Sequence, residues 1–538
     1  MVSLRPGRSI RLPFAGFAIV GIGVLALAID MAANQLTLVK GAFLLGGFAL
    51  LIPTMVLKNP KAYWLFLLVF SIPFDISKRM SAWLVDPQTL VALYGQPASG
   101  TVAFEPYLTD ILLIAMLLPW LARVCMRRDP LYFPNIGYLF VFYLAWSLLA
   151  SLVNAESFYS TMFELIRQVL YLLSFVYLIN NVTTRLQFRS VLWAVFLGFI
   201  ISASTVIIFF ELGYGTETSV FASLQGQPEA IGLSQAYKPS KNAAAPDLTL
   251  YGTGHRLGTA RDEETGLKRS QGMFGHPAIP ASLCGLILPI VLAYLMAARN
   301  NRDRILFFTV FVLGIAALVL TFSRAGAIGL AVGTVVFFPV AGWSGLISRR
   351  VLMIGAVTLI LAAALGVPLL LVYFGARPDS FYMRFNLFEA AIQGYSQHPI
   401  LGVGLNNSTA AMKVGKQEFI DLGIQMPPTE SADSLYLVVL TEVGPFGFIL
   451  FFLFFGKLVM IALRAMREAA ADLKPLLVGI VAGFASLATQ NLADDTLGGH
   501  AISGMLWLFA ALIVAVTRYI QAETRSSAAG GHDAPIRR

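Results

Sequence analysis

The sequence predicts an all-α polytopic membrane protein with about fourteen transmembrane helices, and three observations predict it. First, 57% of its 538 residues are hydrophobic and only 12% are charged, against roughly 25% charged in an average soluble domain. So few charges cannot cover a large water-soluble body, so lipid must face much of the surface. Second, apolar runs of about 17–25 residues recur along the chain, each long enough to cross roughly 30 Å of hydrocarbon. Third, the alternation every second residue that marks the strands of a membrane barrel is missing from these runs.

In order, the runs fall near residues 14–30, 37–57, 62–75, 108–126, 136–153, 161–181, 190–210, 278–298, 305–322, 326–344, 351–374, 435–461, 475–490 and 501–519. The first follows Arg5, Arg8 and Arg11, as the core of a signal peptide would. No small-x-small cleavage site comes before Asp30, so it reads as a membrane anchor. The third run is short, and a re-entrant segment is the alternative to a span. Cys125 and Cys284 both fall in predicted helices. They offer neither a metal set nor a disulfide, and a buried structural role is expected of them.

Orientation follows from where Lys and Arg gather. With the N-terminus inside, the short basic loops Lys58–Lys61, Arg123–Arg128, Arg185–Arg189, Arg299–Arg304, Arg349–Arg350 and Arg464–Lys474, and the tail after Arg518, are cytoplasmic. The net charge of +9 is then a topology signal. Nucleic-acid binding would need a soluble basic face, and none is predicted. The expected organisation is N-terminal membrane helices over 1–210, a long periplasmic loop at 211–277 and central membrane helices over 278–374. A periplasmic loop at 375–434 follows, then C-terminal membrane helices over 435–520 and a cytoplasmic tail at 521–538. Loops of this length are usually functional or disordered. The second contains a predicted amphipathic helix, Ser380–Gln393, with Phe381, Phe385, Phe388 and Ile392 on one face and Gly394 ending it.

Charges beside apolar runs are rare here, so each one matters, and the notable ones cluster on the outer side. Arg269 begins Arg-Ser-Gln-Gly-Met-Phe-Gly-His-Pro, which ends at His276 and Pro277. Arg324 sits in Thr321-Phe322-Ser323-Arg324-Ala325-Gly326, a tight turn between two helices. Arg384 and Glu389 lie on the amphipathic helix. His398-Pro399 leads into Leu401-Gly402-Val403-Gly404. Glu430 and then Asp433 precede the next helix, and Glu442-Val443-Gly444-Pro445-Phe446-Gly447 falls within it. Each has a structural reading beside the functional one. Arg324 can anchor at the headgroups, His276 and His398 can shape turns, and Asp433 can be a helix N-cap. Arg167 can simply pair with Glu164.

Together, three outer arginines and a carboxylate suit a particular chemistry. Guanidinium forks bind phosphate oxygens, and a carboxylate near a hydroxyl acts as general base. A sugar hydroxyl would attack the anomeric carbon of a diphosphate-linked sugar, while the arginines stabilise the departing diphosphate. No Asp-x-Asp pair or His/Cys cluster suggests a metal, and no cofactor is expected. The catalytic candidates are Asp433, Arg324 and Arg269. The substrate-binding candidates are Arg384, His276, His398, Glu389, Glu430 and Arg167.

From Arg269 to Gly447 these segments resemble the O-antigen ligase and polymerase superfamily of bacterial envelope membrane glycosyltransferases. The resemblance implies a glycosyltransferase-C-like fold. It also implies metal-independent transfer from an undecaprenyl-diphosphate-linked oligosaccharide at the periplasmic face of the inner membrane, with Arg269 and Arg324 on the diphosphate. The implied partners are that donor, a glycan or lipid-linked acceptor and membrane lipids, together with a chain-length regulator and a flippase. Ligases of the family usually show His-Asn where this chain has Asp433-Ser434, and His-Pro-Asn where Ala278 follows Pro277. The first departure weakens ligation to a lipopolysaccharide lipid A-core and favours polysaccharide polymerisation, such as exopolysaccharide or O-antigen biosynthesis, or an atypical ligase, with polymerisation ahead. A small-anion transporter of bicarbonate type is the competing class, for which broken helices and charges at mid-membrane are the expected marks.

Overall fold

A computed structural model describes residues 59–74, 107–156, 158–212, 258–261, 268–274, 276–355, 357, 378–421 and 432–530. The expected spans at 14–30 and 37–57, most of that at 351–374, and Glu430 lie outside the described residues. The described helices are α1 (Pro60–Ser71, continued by a 3₁₀ turn at Ile72–Phe74), α2 (Leu108–Cys125), α3 (Gly137–Asn154), α4 (Phe158–Asn181) and α5 (Arg185–Leu212). They continue as α6 (Ala278–Ala297), α7 (Asn301–Thr321), α8 (Arg324–Trp343), α9 (Pro378–Gln397), α10 (Ser408–Ala411), α11 (Lys413–Asp421), α12 (Leu435–Glu468), α13 (Lys474–Gln490) and α14 (His500–Gly530). The protein is a polytopic helical membrane protein. Among the described residues nine helices are long and apolar enough to cross a membrane, and α1 and α13 are shorter apolar helices.

The bundle is built around α6 and α14, whose apolar windows are 72% and 89% buried. Lipid offers no hydrophobic drive for helices to associate, so close packing has to supply it. Glycines do this where α6, α8 and α13 meet. A Cβ at Gly479 would lie 2.3 Å from Ile290 Cα, and one at Gly329 would lie 2.6 Å from the Ser486 carbonyl oxygen. An aromatic cluster fills the space between α3, α4, α12 and α14. Trp507 lies 4.4 Å from Phe140 and 5.3 Å from Phe454 between ring centroids.

Two features depart from the expected outline. Residues 211–277 contain an antiparallel hairpin, β1 (Gly258–Arg261) and β2 (Lys268–Gly272). It is fastened to α5 by the Ser270 hydroxyl, which donates to the Val206 carbonyl at 2.6 Å. The amphipathic helix is longer than predicted, and the large apolar residues Phe385 and Ile392 face away from the protein. Leu387, Ala390 and Ala391 are its buried residues, whereas Phe385 is 53% and Ile392 56% exposed. Gly394 does not end it. The helix runs on to Gln397, and a Cβ at Gly394 would sit 3.0 Å from the Ala411 carbonyl oxygen, so the glycine serves close packing. The small face packs inward because small side chains let backbones approach.

Helix α12 is broken near its N-terminal end. Gly444 has φ 66° and ψ −177°, and Pro445 follows. Proline brings no N–H, and the break leaves nearby carbonyls without helical partners. The segment His398–Asn407 supplies the missing donors. The Val403 amide donates to Thr441 O at 2.9 Å and the Gly404 amide to Glu442 O at 2.8 Å, while Trp146 Nε1 donates to Val443 O at 2.8 Å. Gly402 is required by the close approach, since a Cβ there would lie 2.5 Å from the Glu442 carbonyl carbon. The same segment is tied to α3 and α4, through Asn154 Nδ2 to Gly402 O and Thr161 Oγ1 to Leu405 O.

Candidate functional site

At one end of the bundle the loop helix α9, the start of α12 and the α13–α14 turn converge. Arg384 projects from α9 between two carboxylates. Its Nε lies 3.7 Å from Asp433 Oδ2, and its Nη2 lies 3.3 Å from Asp494 Oδ1. Asp494 is held from the other side by Gln490, whose Nε2 donates to its Oδ2 at 3.2 Å. The turn is docked onto α12, where the Leu435 amide donates to the carbonyls of Asn491 and Asp494. The side chain of Asp494 is 9% exposed and that of Asp433 37%.

Burial is the main influence on these acids. It raises Asp433 above the usual carboxylate range, against the pull of Arg384 and Lys416. Asp494 is pushed up to about 6, again by burial first and with Arg384 opposing it; Arg269 also favours its charged form. Asp495 reaches about 7 through burial and the repulsion of Asp433, Glu164 and Asp494. A carboxylate with a raised proton affinity is a stronger base.

The N-cap reading of Asp433 is corrected by the geometry. Ser434 occupies the N-cap position of α12, and its side chain makes no capping bond. Asp433 stands one residue earlier with φ 47°, in the left-handed region that few non-glycine residues occupy. Such backbone conformations persist where the surroundings enforce them, and they gather at functional sites.

The other candidates divide. Arg269 on β2 is half-buried, donates from Nε to Thr321 O at the end of α7, and lies close enough to act on Asp494. Arg324 is the first residue of α8, half-buried rather than splayed to solvent. The turn before it is formed by Phe322 at φ 49° and by Ser323, whose hydroxyl accepts from the Gly326 amide at 3.1 Å. His276 is exposed and accepts from the Ala278 amide through Nδ1, shaping the start of α6. His398 holds a turn with its backbone, accepting from Gly402 N at 2.9 Å. Glu389 is exposed on α9. Arg167 pairs with Glu164 at 3.4 Å, as its structural reading anticipated. Its guanidinium also lies over the Tyr107 ring at 5.9 Å.

Three participants were not singled out by the sequence reading. They are Asp494, Asp495 and Lys416, the last only 4% exposed on α11. The signal for the first two was present, because an adjacent acidic pair between two apolar runs is as rare as the charges that were noticed. Next to this cluster a cavity of about 110 Å³ is lined by Glu164, Gln168, Asn406, Glu442, Asp495 and Trp507, among others. Glu442 accepts there from the Ser408 hydroxyl at 3.0 Å. Among the described residues no group of three His, Cys, Asp or Glu side chains could hold a metal ion.

Residues 309–452 match the family model described as O-antigen ligase. The match supports assigning that segment to the O-antigen ligase family. It contains Arg324, Arg384, His398, Asp433 and the broken part of α12, whereas Arg269 and Asp494 lie outside it. No curated protein matches the chain at a significant level. The match supports a membrane enzyme of the glycosyltransferase-like kind, for which the family implies a lipid-linked oligosaccharide and a glycan or lipid acceptor.

Proposed function

We propose that the protein transfers glycan from an undecaprenyl-diphosphate-linked oligosaccharide to a sugar hydroxyl at the periplasmic face of the inner membrane, as a polysaccharide polymerase. The observation that carries this reading is the Arg384 guanidinium lying between Asp433 and Asp494, with Arg269 acting on Asp494 as well. Asp433 accepts the proton of the acceptor hydroxyl. The hydroxyl oxygen forms a bond to the anomeric carbon as the bond from that carbon to the diphosphate oxygen breaks. The diphosphate leaves with the electron pair, held by Arg269, Arg324 and Arg384. Polymerisation is preferred to ligation because Asp433-Ser434 stands where the family's ligases carry His-Asn.

The broken helix α12 is the one feature that favours a transporter. In transporters the carbonyls freed by a break coordinate the ion. Here the carbonyls of Thr441, Glu442 and Val443 all accept from protein donors, which supports the enzyme reading. The test is transfer from a purified lipid-linked donor in proteoliposomes. Arg324→Lys should lose most activity although it keeps the charge, because an ammonium cannot reproduce the planar fork. Activity should survive EDTA. A near-normal rate for Arg324→Lys would reduce Arg324 to an interfacial anchor.

A further inference from the structure

Arg384 is paired with two carboxylates from separate elements, and one of them, Asp494, also feels Arg269. Asp433 arrives from the start of α12 and Asp494 from the α13–α14 turn. Arg384 comes from a third element, α9, whose backbone is fixed by packing of Leu387, Ala390 and Ala391 on Met412, Phe419 and Val438. Any movement therefore has to occur in the side chain. The two separations, 3.7 and 3.3 Å, are longer than the roughly 2.7–2.9 Å of a well-formed charge-assisted bond. Neither carboxylate is held in a closed bidentate fork. A diphosphate offers more charge and more oxygens than either, and a guanidinium suits its geometry.

We propose that Arg384 is an exchange latch: it occupies Asp433 and Asp494 in the resting protein, and an arriving diphosphate takes it from both, so that loading the donor unmasks Asp433 as base. The inference rests on the donor reading given above and adds to it an order of events. While Arg384 sits on Asp433 it favours the ionised carboxylate, which lowers its appetite for a proton. Drawing Arg384 away reverses that effect. The remaining charged neighbours act from α11, through Lys416, and from the α13–α14 turn, through Asp494 and Asp495. An empty site would thus hold its base paired, and a loaded site would release it beside the leaving group. Asp494 is a positioning residue in this scheme, since it parks Arg384 without touching the reacting atoms.

A static brace makes different predictions, because a brace keeps its partners whatever binds. The probe is inorganic pyrophosphate, titrated calorimetrically into the purified full-length chain in detergent. Arg384→Gln should weaken binding about tenfold, as loss of one charge-assisted ligand does. Asp494→Asn should tighten it about threefold, as loss of a carboxylate competing for Arg384 does where the pair, at 3.3 Å, is longer than a well-formed one. A gain in affinity cannot come from misfolding. A structure with pyrophosphate bound should show Arg384 on the phosphates and Asp433 beyond ion-pair distance from it. The latch is overturned if Arg384→Gln binds pyrophosphate normally, if Asp494→Asn binds more weakly, or if the bound structure keeps both pairs. No binding by wild type or any variant sinks the donor reading itself, and the latch with it.

Discussion

The two ends of the helix bundle carry similar chemical groups in different surroundings. At the end bearing α9, one arginine meets two carboxylates from separate elements, and the partners are partly or wholly withdrawn from water. At the other end Arg185 meets Asp472 at 3.6 Å and Glu523 at 3.2 Å, with side chains 49%, 39% and 44% exposed. Arg467 lies there over Trp343 at 4.7 Å and Lys474 donates to the Ser344 carbonyl. Exposed pairs are screened and contribute little. Basic residues gather at that end, as anchoring at an interface would place them. At the α9 end, burial raises the proton affinity of the acids and makes the arginine's choice of partner consequential. Burial, and not the presence of ion pairs, is what separates the two ends: the Asp494 side chain is 9% exposed and that of Glu523 44%.

The comparison can be broken most sharply by sidedness. In a background lacking Cys125 and Cys284, a cysteine replacing Lys413 should react with a membrane-impermeant maleimide added to cells with a permeabilised outer membrane. A cysteine replacing Arg299 should react only after the inner membrane is opened. Equal labelling of both would end the distinction between an outer and an inner face. The next largest effect is expected from Asp433→Asn. Asparagine matches the shape but cannot take a proton, so transfer should fall about 10²–10⁴-fold with the protein still folded. A fully active variant would move the base to another carboxylate, Glu389 or Glu430 among them. Gly444→Ala follows. Its added Cβ would meet the Ile400 carbonyl oxygen at 2.2 Å, at a φ of 66°. Strain of this kind costs about 1–3 kcal/mol, so the melting temperature in detergent should drop clearly. An unchanged melting curve would mean that the break in α12 adapts freely. The smallest effect belongs to the other end: Arg185→Gln should leave both transfer rate and melting temperature where they were, and a loss of transfer would overturn the division between the ends.

Most of the architecture was legible because hydrocarbon imposes a length on whatever crosses it. The runs at 108–126, 136–153 and 278–298 became α2, α3 and α6 within a residue or two. The face that α9 turns inward was not legible, for the same reason that the spans were easy. Periodicity identifies an apolar stripe, but beside a membrane an apolar stripe has two possible neighbours, protein and lipid. Phe385 and Ile392 are exposed while Ala390 and Ala391 pack inward. Arg269, Arg384 and Asp433 could be picked out as isolated charges. Their meeting with Asp494 could not, because that contact is made by a turn between α13 and α14, and nothing in local spacing reports which outer turns dock together.

The unusual backbone of Asp433 bears on how this position can vary. At φ 47° most side chains clash with their own main chain, and beyond glycine the residues enriched in that region are asparagine, aspartate and histidine. Of those, only aspartate and histidine can accept a proton. On the proposed role of Asp433 as base, the fold narrows the alphabet before chemistry makes its choice, and an exchange of one base for the other would not require rebuilding the turn. The aspartate in this chain and the histidine usual in the family's ligases are then two letters of the same short alphabet.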